Sequence, residues 1–378
     1  MTQTQTSSLK LFFSNVYTGK KIWLSGHTGF KGAWLAEWLL LMGAEVYGYA
    51  LEPDTTPSLF NELQLASRLH HEVADIRDAE AVKKSILSCQ PDFVFHLAAQ
   101  PLVRRSYLQP LETYETNVMG TIHVLEALRA LQAARKNETG VVSAVMVTTD
   151  KCYKNHEDGR LYAEEDALGG HDPYSSSKAM AEIAVAAYQK SFFKLSSQIR
   201  LASARAGNVV GGGDWAEDRI IPDCVRALEK KESILVRNPS ATRPWQHVLE
   251  PLSGYLWLGA RLAQDEKLAT SFNFGPTDEG NHCVRDVVER VLQQWPGEWH
   301  DGHNASALHE AKLLGLSINK ASSLLGWKPV WNFERTIEEA MKWYCAHKKN
   351  PSEDLETTHQ QIISYCNDAK KEGLCWAK

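Results

Sequence analysis

A chain of 378 residues with 43% hydrophobic and 23% charged residues has the composition of a globular protein, long enough for a large core and two lobes. Its net charge of −5 is mild and its basic residues form no block, which argues against a nucleic-acid partner. Seven scattered cysteines without a CxxC pair suggest neither a metal centre nor a disulfide framework, and the longest apolar segment, "AWLAEWLLLMGA", is broken by Glu37 and too short for a bilayer, so the expected setting is the cytoplasm, away from any membrane.

The first twenty residues lack the basic and apolar regions of a signal peptide. From Lys21 short β-rich apolar runs alternate with helical patterns: strands are expected at 21–26, 45–51, 71–76, 92–98, 142–149 and 199–205, and helices at 31–42, 79–89, 112–134 and 174–193. Continuous apolar strands separated by helices predict an α/β fold, a Rossmann-type doubly wound parallel sheet covered on both faces. After residue 210 the elements become shorter and mixed, which predicts a smaller C-terminal α/β lobe that completes a cleft. The expected division is a cofactor domain over 20–210, a substrate lobe over 211–348 and a helical tail over 349–378. "FNFGP", at 272–276, is placed in the smaller lobe.

The first strand runs into "SGHTGFKG", where Gly26, Gly29 and Gly32 space Thr28, Phe30 and Lys31 ahead of an amphipathic helix. Glycines let a backbone turn tightly against a diphosphate, and the helix start adds amide donors. A lone triad is often only a flexible turn; its place between the first strand and first helix of a doubly wound pattern favours a dinucleotide. "ADIRD" sets Asp75 to accept from an adenine amine and Ile76 to pack on the ring, with a helix cap at Asp78 as an equal alternative. "HLAAQ" offers Leu97, Ala98 and Ala99 for close approach. The second strand ends at Ala50, with Glu52 and Asp54 only nearby, where a ribose-binding acid is expected. No arginine follows to hold a 2′-phosphate, which favours NAD over NADP without settling the choice.

Tyr174 and Lys178 are four apart and share a helix face, and Thr149 ends the preceding strand. A tyrosine becomes a useful base when a nearby cation stabilises its phenolate. An isolated YxxxK is commonly surface; Thr149 is what raises it.

These motifs, with "GHTGFKG", "ADIRD", "HLAAQ", "TNVMGT" and "LGWKP" in order, resemble the extended short-chain dehydrogenase/reductase family from about residue 21 to 343, and among its members the nucleotide-sugar 4,6-dehydratases. The resemblance implies an NAD cofactor, with Asn117 among its contacts, and Thr149, Asp150, Lys151, Tyr174 and Lys178 as the catalytic set. It implies a substrate that is a cytidine diphosphate sugar, a product leading to deoxysugars of surface polysaccharide such as O-antigen, and a homodimer or homotetramer built on helices 112–134 and 174–193. In such a reaction a C4 ketone acidifies the C5 hydrogen, a base removes it, and an acid protonates the departing C6 hydroxyl. Asp150 takes the acid's place and Lys151 the base's, although a cationic Lys151 would serve as an enolate stabiliser instead, and residue type leaves both open. Asn208, Arg219 and Arg243 are the candidates for the sugar and diphosphate, since guanidinium matches phosphate bidentately. Gln100 and Arg105 are candidates for the sugar pocket, with helix capping as the alternative. A 4-epimerase would need no acid and base beside Thr149, and a non-enzymatic NAD-binding regulator would be free to lose Tyr174 or Lys178.

Overall fold

Seven parallel strands form the central sheet: Lys21–Ser25 (β1), Glu45–Ala50 (β2), His70–Val73 (β3), Phe93–His96 (β4), Val142–Val147 (β5), Ile199–Ala206 (β6) and Ser271–Phe274 (β7), in the spatial order β7-β6-β5-β4-β1-β2-β3. The computed structural model describes residues 9–135, 140–194, 197–277, 281–302 and 313–378. The longer helices are Phe30–Leu41 (α1), Ala79–Cys89 (α2), Gly120–Ala134 (α3), Pro173–Ser191 (α4), Ile220–Lys230 (α5), Leu249–Leu262 (α6), Val284–Gln294 (α7), Phe333–Lys349 (α8) and Asp354–Lys371 (α9).

Successive side chains of a strand point to opposite faces, and here both faces are apolar because both are covered. Ile22 and Leu24 of β1 pack into one core with Trp34 and Trp38 of α1 and Leu252, Tyr255 and Leu256 of α6. Trp23 between them packs into the other, with Val82 and Ile86 of α2, Val124 and Leu128 of α3, and Val185 of α4. Asp78 caps α2 by accepting from the amides of Glu80 and Ala81, and Asp172 caps α4 by accepting from Ser175.

Three expectations are corrected. The helix expected over 112–134 is a short helix at Pro110–Tyr114, a π-helical turn at Glu115–Met119 and only then α3. "FNFGP" does not belong with the smaller lobe: its Ser271–Phe274 segment pairs parallel with β6 as the edge of the main sheet. Glu37, which read as a polar break, is fully buried in α1, where it accepts from Arg68 at 2.5 and 2.7 Å and meets His359 of α9 at 2.5 Å. Burial opposes its charge, but the hydrogen bonds from His359 and Arg68 outweigh that and hold the carboxyl below its ordinary range. The last thirty residues are therefore no loose tail. Trp376 stacks on Phe13 at 5.0 Å, and Tyr365 stacks on Trp376 at 5.7 Å.

Candidate active site

The chain leaves β1 toward β2 and β3 on one side and leaves β4 toward β5, β6 and β7 on the other. Sheets of this kind bind ligands beyond the strand ends at such a parting. A cleft of about 1550 Å³ opens there. That exceeds the roughly 300–1,000 Å³ usual for one small ligand, so a dinucleotide and a second molecule have room together.

At its floor the Ser25 hydroxyl accepts from the amides of Leu97 and Ala98 and bonds His96, joining the ends of β1 and β4. Gly26 has φ +75°, and a Cβ there would lie 2.6 Å from the Ala98 nitrogen; one on Gly32 would lie 2.0 Å from the Gly26 oxygen. Both glycines are dictated by backbone packing. A Cβ on Gly29 would meet nothing nearer than the Gly26 oxygen at 3.5 Å, so this third glycine leaves open space where α1 begins, and no side chain caps that helix. Bare amides beside an open cradle suit a diphosphate. Thr28 donates to the Leu51 carbonyl at 2.9 Å, pinning the turn to the end of β2.

The remaining expected cofactor contacts divide. Phe30, Lys31, Ile76, Leu97, Ala98 and Ala99 line the cleft. Asp75 lines it too, but its carboxylate already accepts from the Arg77 guanidinium at 2.6 to 3.1 Å. Asn117 is corrected: it is buried behind the cleft, accepting from the Gln100 amide at 2.8 Å and donating to the Gln100 carbonyl and to Ser177, while its neighbour Thr116 is the one on the wall. Lys31 was expected for its place in the turn, yet its side chain reaches the catalytic end. Burial, with Arg219 and Lys178 close by, lowers its ammonium to about 7.

Thr149, Asp150, Lys151, Tyr174 and Lys178 do converge. Thr149 bonds the Tyr174 hydroxyl and donates to Asp150 Oδ1 at 2.9 Å. The Lys151 ammonium lies 3.5 Å from the same carboxylate and donates to Asn208 Oδ1 at 3.3 Å. Asp150 is fully buried, and its Oδ2 has no hydrogen-bond partner among the described residues. A buried carboxylate oxygen without a donor is a costly arrangement, and Asp150 lies just behind Thr149 and Lys151, which line the cleft. In one respect the electrostatics differ from expectation. Burial raises Tyr174 to about 12 despite the Thr149 hydrogen bond, and lowers Lys178 to about 8 although Glu182 opposes this. In this state Tyr174 is a phenol, and a further positive charge must arrive with the ligands before it can serve as base.

Among the substrate candidates, Asn208, Arg219 and Arg243 line the cleft. Arg219 pairs with Asp214 at 2.7 Å, and Arg243 donates to the Thr242 carbonyl. Arg105 sits at the rim, 3.5 Å from both Asp54 and Glu112. Gln100 lines the cleft as well, while its side chain donates to the Leu102 carbonyl and to Thr113 and accepts from the Leu102 amide; no side chain caps the short helix that follows. A bridge across the cleft mouth was missed. Asp218, at φ +63°, accepts from Arg104 of the first lobe at 3.0 Å and from Arg237 of the second. Only the doublet in "VRRSY" hinted at it.

The model of the family described as GDP-mannose 4,6 dehydratase matches residues 24–340. The chain is 46% identical over 341 residues to the CDP-glucose 4,6-dehydratase of Salmonella typhimurium strain LT2, covering 88% of this chain and 92% of that protein. It is 26% identical over 303 residues to dTDP-glucose 4,6-dehydratase 1 of Escherichia coli K12, covering 75% and 81%. The fold matches that of DesIV, a dTDP-glucose 4,6-dehydratase from Streptomyces venezuelae solved with NAD and TYD bound, with a TM-score of 0.73 at 21% identity over 87% of this chain and 98% of that one. Fold, site and relatives agree: the chain belongs to the GDP-mannose 4,6 dehydratase family of extended short-chain dehydrogenases/reductases.

Proposed function

We propose that this protein is a nucleotide-sugar 4,6-dehydratase that converts CDP-D-glucose to CDP-4-dehydro-6-deoxy-D-glucose and water with bound NAD, in the cytoplasm. The observation that carries the reading is an acid and an amine, Asp150 and Lys151, 3.5 Å apart beside Thr149 and Tyr174. The CDP-sugar assignment rests on the 46% identical relative. The glycine turn would hold the cofactor's diphosphate, and Leu97 to Ala99 and Ile76 would flank it. Arg77, whose charge Asp75 and Glu115 already match, argues against a 2′-phosphate and so favours NAD over NADP.

NAD, when bound, supplies a hydride acceptor that later returns the hydride. The other work falls to side chains. Thr149 and Tyr174 hold the C4 hydroxyl, and Tyr174 takes its proton while Lys178 offsets the phenolate's charge. A proton crossing from Lys151 to Asp150 leaves an amine and an acid 3.5 Å apart. Lys151, steadied by Asn208, takes the C5 proton, and Asp150 gives its proton to the departing C6 hydroxyl, which leaves as water. As C6 is reduced, Lys151 returns its proton to C5, and the proton that Tyr174 took passes by way of Thr149 to Asp150, which restores all three. Arg219, Arg243 and the Arg104–Asp218–Arg237 bridge supply charge for the substrate's diphosphate. The lobe over 211–348 is proposed as the nucleotide-sugar lobe, with β7 returned to the cofactor domain.

The chain is proposed to pair as a homodimer through the outer faces of the segment before α3 and of α4, where Leu111, Met119, Met180 and Ile183 are 44% to 70% exposed. Met180→Glu with Ile183→Glu should halve the mass measured by light scattering; an unchanged mass counts against this surface.

Incubation with CDP-glucose should give a product lighter by one water with no net NADH. A kcat/KM clearly higher for the dTDP or GDP sugar would remove the cytidine assignment and keep the reaction. An intact substrate isomerised at C4 would make the protein an epimerase.

A further inference from the structure

Behind the catalytic residues lies a chain of buried polar groups that reaches the cleft wall through Thr148 and Tyr153. Glu182 follows Lys178 by one turn on α4 and is 2% exposed. Its carboxylate accepts from Thr148 Oγ1, from Ser203 Oγ at 2.8 Å and from the Arg205 guanidinium at 2.7 Å. Arg205, on β6, is 4% exposed and donates in turn to the Tyr153 hydroxyl at 2.8 Å and the Glu164 carbonyl at 3.2 Å. Tyr153 donates to Asn273 Oδ1 at 2.7 Å on β7. Asn273 is held by the Tyr162 and Ser317 carbonyls, to which it donates, and its amide donates to Glu164.

Two of these contacts bracket the chemistry. Thr148 and Tyr153 stand on either side of Thr149-Asp150-Lys151, and both reach the same ion pair, one through Glu182 and one through Arg205. The carboxylate of that pair rides on the helix that carries Tyr174 and Lys178. A charged pair removed from water is weak evidence for stability, because desolvation offsets the attraction; an apolar pair would fill the same space. What an ion pair adds is fixed geometry, through several directional bonds at once.

We propose that Glu182 and Arg205 are positioning residues that hold the Thr149–Lys151 segment in register with the Tyr174–Lys178 helix, and that Tyr153 conveys this register to the elimination half of the reaction. The oxidation needs Thr149, Tyr174 and Lys178, of which two share α4. The elimination needs Asp150 and Lys151, which lie on the segment that Tyr153 anchors. Loosening Tyr153 therefore separates the two halves. A displacement of about 1 Å can cost on the order of 10²-fold in rate.

This rests on the dehydratase reading, and the test keeps the two apart. Tyr153→Phe keeps the ring and loses only the hydroxyl. In the full chain with cofactor and CDP-glucose it should lower kcat at least tenfold with KM within about twofold, while the bound cofactor accumulates in its reduced, 340 nm-absorbing form, because oxidation outlasts elimination. Oxidation and elimination falling in equal proportion would overturn the proposal, as would an unchanged kcat. A second comparison separates positioning from stability. Glu182→Gln alone leaves Arg205 buried without its counter-charge and lowers the melting temperature. The double variant Glu182→Gln with Arg205→Met should recover the melting temperature and not the elimination rate; recovery of both would mean that the pair is structural only. Amide hydrogen exchange over residues 147–153 needs no substrate. It should be faster in Tyr153→Phe, and unchanged exchange overturns the proposal even if the wild type leaves CDP-glucose untouched.

Discussion

At the scale of single residues, the proposed function makes Lys151 the distinction between a dehydrogenase and a dehydratase. Lys151→Ala removes an amine from the cleft and leaves the Thr149–Tyr174 contact and Lys178 in place. C4 oxidation should persist, so one turnover should leave the nicotinamide reduced, visible by absorbance. Exchange of the C5 hydrogen with solvent should slow by about 10²- to 10⁴-fold, the usual contribution of a general base. Normal exchange would show that Lys151 is a bystander. Tyr174→Phe should instead abolish reduction of the nicotinamide. The convergence of Thr149, Asp150, Lys151, Tyr174 and Lys178 was legible because each is chemically distinctive and they fall in two short motifs. The place of Asn117 was not, because an amide that clamps a loop and an amide that faces a ligand look alike in sequence. Only the loop's own backbone, which offers the Leu102 amide to Gln100 and the Gln100 amide to Asn117, decides between them. Nor does residue type reveal that Lys31 joins the catalytic end, since that depends on burial beside Arg219 and Lys178.

At the scale of elements, the strand ends and their order with the flanking helices were readable to within a few residues up to β6, because the buried strands leave unbroken apolar runs; the exposed edge β3 was placed by the rhythm of its neighbours. β7 was misplaced for two reasons. It is four residues long, and 64 residues of a different lobe separate it from β6, so the alternating rhythm that flagged the others was gone. The π-helical turn before α3 was equally hidden, since it preserves helical composition while shifting the register by one residue. That shift turns Asn117 inward and sets Gly120 against Ile76, where a Cβ would approach Ile76 Cγ2 to 2.8 Å. Gly120→Ala should therefore push Ile76 toward the cleft wall it lines. Overpacking of this kind typically costs about 1–3 kcal/mol. The expected result is a melting temperature lower by several degrees and a weaker NAD dissociation constant by calorimetry; unaltered NAD affinity would show that Ile76 does not contact the cofactor.

At the scale of the whole molecule, the helix α6 under the sheet is tied to the C-terminal segments through Ser253, Trp257 and, with the most bonds, the Glu250 carboxyl group. Glu250 accepts from the amides of Val330 and Trp331 at 2.7 to 3.1 Å and from Tyr365 of α9 at 2.7 Å. Burial outweighs these donors and raises it from 4.5 to about 7. The sign follows from linkage. Below pH 4.5 the group is protonated in both states and costs nothing; between 4.5 and about 7 the unfolded chain ionises first, so stability falls as pH rises, by roughly 3 kcal/mol in total. Glu250→Gln keeps an acceptor oxygen and removes the titration. Its melting temperature should gain on the wild type between pH 5 and 8 and match or exceed it at pH 8; parallel curves would rule out Glu250 as the source.

Glu37 lends the fold a timetable. A ribosome makes α1 more than three hundred residues before His359 of α9, and Phe13 waits still longer for Trp376. Until then the nascent chain holds a carboxylate with Arg68 as its available partner and a Trp38 that lacks its Trp376 neighbour. The first lobe is thus unfinished until α9 and Trp376 have been made. Ribosome-bound chains halted before residue 354 should be cut readily by protease within α1, and chains released whole should resist. A cell that produces this protein must shelter that early hydrophobic surface for the whole interval, which makes its yield sensitive to elongation speed and to chaperone supply rather than to the stability of the finished fold.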